Sequence, residues 1–332
     1  MAEKKRLLSG VKPTGRLHVG NYFGAMKQFV DLQDKYESYI FVADIHSLNR
    51  LQNLPEANNA RQEQIANTFH LICGYLAIGI DPEKTVLFKQ SDVVAHPYVG
   101  WIFNALTSMP YLMRAHAYKD AEAKSKDISV GTFVYPMLMA SDILLYDPDV
   151  VPVGKDQKQH IEYARDTAQK FNRLFGETFK LPEEIIMEDV ESVPGLDGQK
   201  MSKSYYNTLP LFATKEETKQ LIMAAPMDSK SIDEKKNPDD YPVYKIYRLF
   251  ATKDEDKAMR KKFEEGGVGY GDIKLEISDK INESLKVMRE KYNELSNNPD
   301  QVYKIIEAGA EKANKVANAK LKEVKRKVGL ST

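Results

Sequence analysis

Hydrophobic residues change their spacing along this chain at identifiable places, and those changes divide it into elements. Arg6 to Gly10 is a short, partly apolar run, and Gly10 to Gly20 is rich in glycine, proline and small residues. Asn21 to Tyr36 then carries Phe23, Met26, Phe29, Val30 and Leu32 at helical spacing, so the order is strand, loop, helix. Ser38 to Ile45 reads as a buried strand, Pro55 to Ile78 as a long helix and Thr85 to Lys89 as another strand. Tyr135 to Tyr146 predicts a helix with Pro136 in its first turn and Leu138, Met139, Asp142 and Leu145 on one face. Val151 to His160 is again strand, tight turn and helix start. This alternation predicts an α/β fold, a Rossmann-like doubly wound parallel sheet. After Ser204 only helical spacing remains, at Glu216 to Ala225, Tyr244 to Ala251, Ile273 to Asn297 and Gln301 to Leu330. The expected organisation is an α/β domain over residues 1–205 and an all-helical domain over 206–332 that packs back on it.

Composition narrows the class without naming a chemistry. With 332 residues, 42% of them hydrophobic and 29% charged, the chain is long enough for about two soluble domains. Lys plus Arg and Asp plus Glu each total 48, so any polyanion surface must be a local patch. One such patch is residues 312 to 327, where Lys312, Lys315, Lys320, Lys322, Lys325, Arg326 and Lys327 face a single acid, Glu323. That run is either a solvated face or a surface for a phosphate backbone. Cys73 is the only cysteine, which excludes an intrachain disulfide and a multi-thiolate metal site; its apolar neighbours make it a buried helix residue. The first residues hold no apolar signal region and no stretch reaches bilayer length, so a cytoplasmic location without a membrane partner is expected. Trp101 to Met113 is too hydrophobic for a surface loop and is either core or an interface between copies of the chain.

Candidate chemistry concentrates in two loops. Gly195 to Ser204 reads Gly-Leu-Asp-Gly-Gln-Lys-Met-Ser-Lys-Ser, in which Lys200 and Lys203 bracket Met201 and Ser202. Two ammonium groups and the hydroxyls of Ser202 and Ser204 converging on one anion suit a polyphosphate. Leu17-His18-Val19-Gly20-Asn21 stands directly before the first helix, where unpaired amides favour an anion and Gly20 lets a nucleotide approach the backbone. His46 falls at the end of the second strand, at the carboxyl edge where open α/β sheets bind ligands. Asp142 is the lone charge on an apolar helix face; it either pairs inside the fold or receives a ligand's N–H or O–H. Arg114, His116, Lys119, Lys124 and Lys126 form a basic stretch to which no role is assigned.

Lys-Met-Ser-Lys-Ser is the signature loop of the class I aminoacyl-tRNA synthetases, and together with Leu17 to Asn21 it makes the chain resemble that family over nearly its whole length. Asn21 standing where the second His of the N-terminal signature is usual, and the preceding Ser9, Gly10, Pro13 and Gly15, are similar to the tryptophan branch, as is the run from Tyr135 to His160. The resemblance implies adenylation of L-tryptophan by ATP with Mg²⁺, then transfer to the 3′ end of tRNA(Trp), by a homodimer. It implies catalytic roles for Lys200, Lys203, His18 and Asn21. It implies ATP contacts from Lys12, Pro13, Thr14, Gly20, Asn21, Gly154, Lys155, Asp156, Val193, Lys200, Met201, Ser202, Lys203 and Ser204. Tryptophan would meet Asp142, through its indole N–H, and Met139, Tyr135, Gln157, Val151, Val153, His46 and Leu8. Lys155 departs from the family, which usually has Glu there. The helical domain would read the anticodon, and the Pro-Val-Tyr segment near Pro242 resembles members with an iron–sulfur cluster that one cysteine cannot hold. A tyrosyl-tRNA synthetase is the closest alternative, although its pattern has Gln where Met139 stands; a nucleotidyltransferase or RNA-binding paralogue is the alternative from another class.

Overall fold

The computed structural model describes residues 4–49, 57–115, 118, 119, 122, 128–153, 158–186 and 193–331. Five parallel strands, β1 (Arg6–Val11), β2 (Glu37–Val42), β3 (Thr85–Lys89), β4 (Val150–Val153) and β5 (Glu183–Ile186), form one sheet in the order β3-β2-β1-β4-β5. The expected doubly wound sheet is therefore present. β2 is a near-continuous apolar run because helices cover both faces of the sheet. On one face Ile40, Val42 and Leu87 meet Tyr75 and Leu76 of the helix Ala57–Ala77; on the other Phe41 and Phe88 meet Phe103, Ala140 and Tyr146. Each such large apolar side chain contributes about 1.5–3 kcal/mol when fully buried.

The chain leaves β1 for β2 on one side and returns to β4 on the other, so β1 and β4 flank the switch point. Their pairing consists of one register match, Leu7 with Val150, beyond which a crevice opens at their carboxyl ends. That crevice decides where the site lies.

Several local details differ from the sequence pattern. The first helical segment begins at Val19 and is interrupted by a π-helical turn, Tyr22–Met26, before Lys27–Leu32. β2 ends at Val42, and His46 sits in a short helix, Asp44–Ser47, beyond the strand end rather than closing it. The helix expected at Tyr135 to Tyr146 runs Val130–Leu144, started by the Ser129 side chain accepting from the Thr132 amide, so Pro136 lies inside it and not in its first turn. A proline there leaves the Thr132 carbonyl without its helical donor. β5 and the helix Lys253–Glu265 are additional; the latter buries only Met259 and Phe263, and its Thr252–Glu255 capping box marks its start. Trp101 to Met113 is divided: Ile102, Phe103 and Leu112 are core, whereas Trp101 is 74% and Met109 66% exposed.

Of the later helices, Tyr270–Ser296 packs on the helix Ala57–Ala77 and carries Lys215–Ala224 and Pro242–Arg248, whereas Pro299–Lys327 packs on β3 itself. Val302 and Ile306 of the last helix join one core, and Ala310, Ala313, Ala317 and Val324 the other, so this helix straddles the free edge of β3. Gly309 permits it: a Cβ there would stand 1.9 Å from the Leu87 carbonyl oxygen. Among the described residues no helix is long and apolar enough to cross a membrane.

Candidate active site

A cavity of about 580 Å³ fills the crevice. Leu8 and Lys12 from β1 and its exit, Thr14, Gly20 and Asn21 from the glycine-rich loop and first helix, and Val151 and Val153 from β4 line it. His46, Tyr135, Met139, Asp142, Lys200 and Lys203, also expected from the sequence, line it too. Pro13, His18, Val193, Met201, Ser202 and Ser204 stand behind this wall or beside it. Gly154, Lys155, Asp156 and Gln157 lie outside the described residues, as do His116, Lys124 and Lys126 of the basic stretch. Phe41, Ile143 and His160 line the cavity without having been singled out, since each is indistinguishable by pattern from a core or helix-start residue.

The two signature loops are fastened to one another. The Val19 amide donates to the Leu209 carbonyl at 2.9 Å and the Leu211 amide to the Leu17 carbonyl at 2.9 Å, so the segment after the lysine loop runs beside the entry to the first helix. Lys203 Nζ donates to the Thr14 carbonyl. Inside the loop Asn207 ties the ends: its Oδ1 accepts from the Ser202 amide at 2.8 Å, and its Nδ2 donates to Asp197 Oδ1 at 2.7 Å and the Lys200 carbonyl at 3.2 Å. Gly195 is required beneath it, because a Cβ there would come within 2.2 Å of the Asn207 amide nitrogen. Ser202 and Ser204 hydroxyls hydrogen-bond each other at 2.8 Å. Lys200 is exposed at the cavity mouth.

Charge states follow from these surroundings. His18 is buried, and burial followed by the Lys203 charge pushes its pKa down to about 4; the ring is neutral near pH 7, and its Nδ1 has no hydrogen-bond partner in the fold. Asn21 Oδ1 accepts from the His18 amide at 3.2 Å. Lys12 is open to water at the cavity rim, yet enclosing walls lower its ammonium pKa, and it lies 5.5 Å from the centre of the Tyr135 ring.

At the cavity floor Asp142 is 1% exposed and meets three side chains of the protein. His46 Nε2 meets its Oδ2 at 2.9 Å, Gln90 Nε2 donates to Oδ1 at 2.8 Å and Oδ2 at 2.9 Å, and His96 Nδ1 bonds Oδ1. Burial alone would push this carboxyl up, but the His96 and His46 imidazoles outweigh it and hold the pKa below the ordinary carboxylate value. The sequence showed one charge on an apolar face; the fold adds three polar groups from other elements around it.

The basic run at the C-terminus divides as well. Lys320 is drawn inward, donating to the Thr178 carbonyl at 2.6 Å and pairing with Asp147 at 2.7 Å and Glu323 at 3.0 Å, while Lys312, Lys315, Lys322 and Arg326 remain exposed.

Comparison with known proteins places this geometry among related chains. Residues 1–286 match the family described as tRNA synthetases class I (W and Y). A tryptophan–tRNA ligase of Fusobacterium nucleatum subsp. nucleatum is 48% identical over 327 residues, covering 98% of each chain. The crystal structure of tryptophanyl-tRNA synthetase from Campylobacter jejuni complexed with ADP and tryptophan superposes with a TM-score of 0.91 at 41% identity, covering 98% of this chain and 99% of that one. Tryptophanyl-tRNA synthetase from Mycoplasma pneumoniae gives a TM-score of 0.77 at 29% identity, with 98% of both chains covered.

Proposed function

This chain belongs to the class I tRNA synthetases of the tryptophan and tyrosine group, and from that premise we infer that it acts as a tryptophan–tRNA ligase. It activates L-tryptophan with ATP to tryptophanyl-adenylate and pyrophosphate, then transfers tryptophan to the 3′ end of tRNA(Trp). The observation that carries the reading is the convergence of both signature loops and the Asp142 floor on one cavity at the β1–β4 switch point.

In the first half-reaction a tryptophan carboxylate oxygen attacks the α-phosphorus of ATP, the bond to the bridging oxygen breaks, and pyrophosphate carries away that electron pair. No protein nucleophile is needed, so catalysis is positioning and neutralisation of phosphate charge. We assign neutralisation to Lys200 and Lys203, which reach the cavity from the loop side. The Lys12 to Thr14 turn and Gly20 to Asn21, with neutral His18 behind them, would hold the nucleotide. Leu8, Met139, Val151 and Val153 give an apolar slot for the indole, Asp142 an acceptor at its base, and Tyr135 and His46 flank it. In the second step a ribose hydroxyl of the tRNA attacks the acyl carbon and AMP leaves with the electron pair.

Mg²⁺ fits this site as a phosphate-borne ion. Among the described residues no group of three or more His, Cys, Asp or Glu side chains could hold a metal, and an ion carried in on the nucleotide would need no such cage. When bound it would neutralise charge on the phosphates beside the two lysines.

The helical segment after residue 206 is assigned to the tRNA, with the exposed Lys312, Lys315, Lys322 and Arg326 as phosphate contacts. The working unit is assigned as a homodimer because Trp101, Met109 and Met113 leave apolar surface outside a core that already takes Ile102, Phe103 and Leu112.

ATP–pyrophosphate exchange run with each of the twenty amino acids tests the function. Exchange dependent on tryptophan alone is expected; exchange driven by tyrosine, or by none, would overturn it.

A further inference from the structure

Behind Asp142, away from the cavity, lies a polar chain that the reaction as derived above does not use. His96 is completely buried, with Nδ1 on Asp142 Oδ1 and Nε2 2.9 Å from the Tyr146 hydroxyl, itself completely buried. Burial and the nearby Asp142 charge raise the Tyr146 pKa, so the phenol keeps its proton and donates it to His96 Nε2. The same ring then presents Nδ1–H to the carboxylate, and its tautomer is set by the hydroxyl behind it. Gln90 is oriented likewise: its Oε1 accepts from the Ile45 amide at 3.1 Å and the His46 amide at 3.3 Å, which turns its NH₂ toward Asp142. Three donor groups thus make two contacts on each carboxylate oxygen, and because Gln90 Nε2 is shared between Oδ1 and Oδ2, one of its two contacts can give way to a further donor.

A buried cluster of this kind is costly unless satisfied, and a well-packed apolar core would fold without it. Phe41, Phe88 and Tyr39 pack around His96 and Tyr146, so a leucine and a phenylalanine would suit the site on packing grounds alone. The arrangement instead fixes which face of the carboxylate is turned to the cavity.

We propose that His96 and Tyr146 are positioning residues for substrate selection: they orient Asp142 so that the acceptor site shared with Gln90 faces the cavity and takes the indole N–H. The proposal rests on the assignment of Asp142 as that acceptor. Neither residue touches the substrate; both act through the carboxylate.

The test compares adenylate formation from tryptophan with that from its analogue carrying sulfur in place of the indole nitrogen, in Asp142→Ala, His96→Leu, His96→Asn and Tyr146→Phe. A carboxylate freed from His96 turns and loses the N–H, so His96→Leu is expected to lower kcat/KM for tryptophan by about tenfold or more. The sulfur analogue, which has no such bond to lose, should change by less than about threefold, with KM for ATP unchanged. Asparagine places an amide N–H near the position of Nδ1, so His96→Asn is expected to restore most of the ratio, and Tyr146→Phe should fall between. Equal losses for both substrates in His96→Leu, accompanied by a lower Tm and no rescue by asparagine, would show a merely structural role and overturn the proposal. Should His96→Leu not fold, Tyr146→Phe, which removes one oxygen, decides: an unchanged ratio overturns the proposal and a narrowed one supports it. Asp142→Ala separates the two layers. If it leaves the ratio unchanged, the acceptor assignment fails and the positioning role with it; if it narrows the ratio while the His96 and Tyr146 variants do not, only the positioning role fails.

Discussion

The Gly20 amide donates to the Met201 sulfur at 3.3 Å, joining the two signature loops across a separation of 181 residues. Met201, in the middle of the lysine signature, is 5% exposed and packs against the start of the first helix, so its side chain holds the loop. The lysines on either side are thereby carried to the cavity.

Lys200→Ala and Lys203→Ala are each expected to lower kcat for adenylate formation by about 3 kcal/mol, the worth of one preorganised electrostatic donor, while tryptophan binding stays close to that of the parent. Pre-steady-state measurement of adenylate formation reads this; an unchanged kcat would remove the lysines from the transition state.

Asn207→Ala should act on the same step from a distance. Removing the amide releases the Ser202, Asp197 and Lys200 attachments at once, so pyrophosphate exchange is expected to fall about tenfold to a hundredfold with tryptophan affinity held within twofold. Equal weakening of tryptophan binding would mean that Asn207 supports the whole cavity instead.

The basic helix should behave as two populations. Changing Lys312, Lys315, Lys322 and Arg326 to Gln is expected to weaken tRNA binding and reduce its log–log salt slope by about 0.7–0.9 for each phosphate no longer neutralised, with pyrophosphate exchange intact. Lys320→Ala should leave that slope alone and lower the Tm, because it abandons Asp147 and the Thr178 carbonyl. A slope that responds to Lys320 as strongly as to the others would contradict this division.

His18 gives a pH dependence with a definite sign. Its folded pKa of about 4 lies below the ordinary 6.5, so the unfolded state binds the proton more readily. Its contribution to stability is complete above about pH 6.5 and is lost as pH falls toward 4. Chemical denaturation at pH 7 and pH 5 should show His18→Asn losing about 1 kcal/mol less than the parent over that interval, allowing for solvent screening. Identical losses would place the proton elsewhere.

For the homodimer, light scattering at micromolar concentration should give twice the chain mass of 37.8 kDa, and Trp101→Glu should return it to that mass. A single-chain mass for the parent would refute the assembly.

The parallel sheet was legible because buried strands such as Thr85 to Lys89 are short apolar runs between turn residues, and the lysine loop because five specified residues in order are rare. β5 was not, since Glu183-Glu184-Ile185-Ile186 has too little apolar length to stand out. His96, Gln90 and Asn207 were equally silent: each acts through a partner far away in sequence, and no local periodicity encodes that Gln90 and His96 will flank a carboxylate at position 142. Pro136 misled because proline favours a first turn, whereas Ser129 had already supplied the cap. What remained unread is largely the company each site residue keeps.

The close approach of Gly309 to the Leu87 carbonyl has a consequence for how the protein is made. β3 is an open sheet edge until the last helix covers it, and unpaired strand edges invite association with other chains. The segment that protects it follows β3 at a distance of more than half the sequence, Gly309 docking on Leu87. Everything between them must therefore be synthesised with that edge exposed, and chaperone protection is needed most in the interval before Gly309 docks.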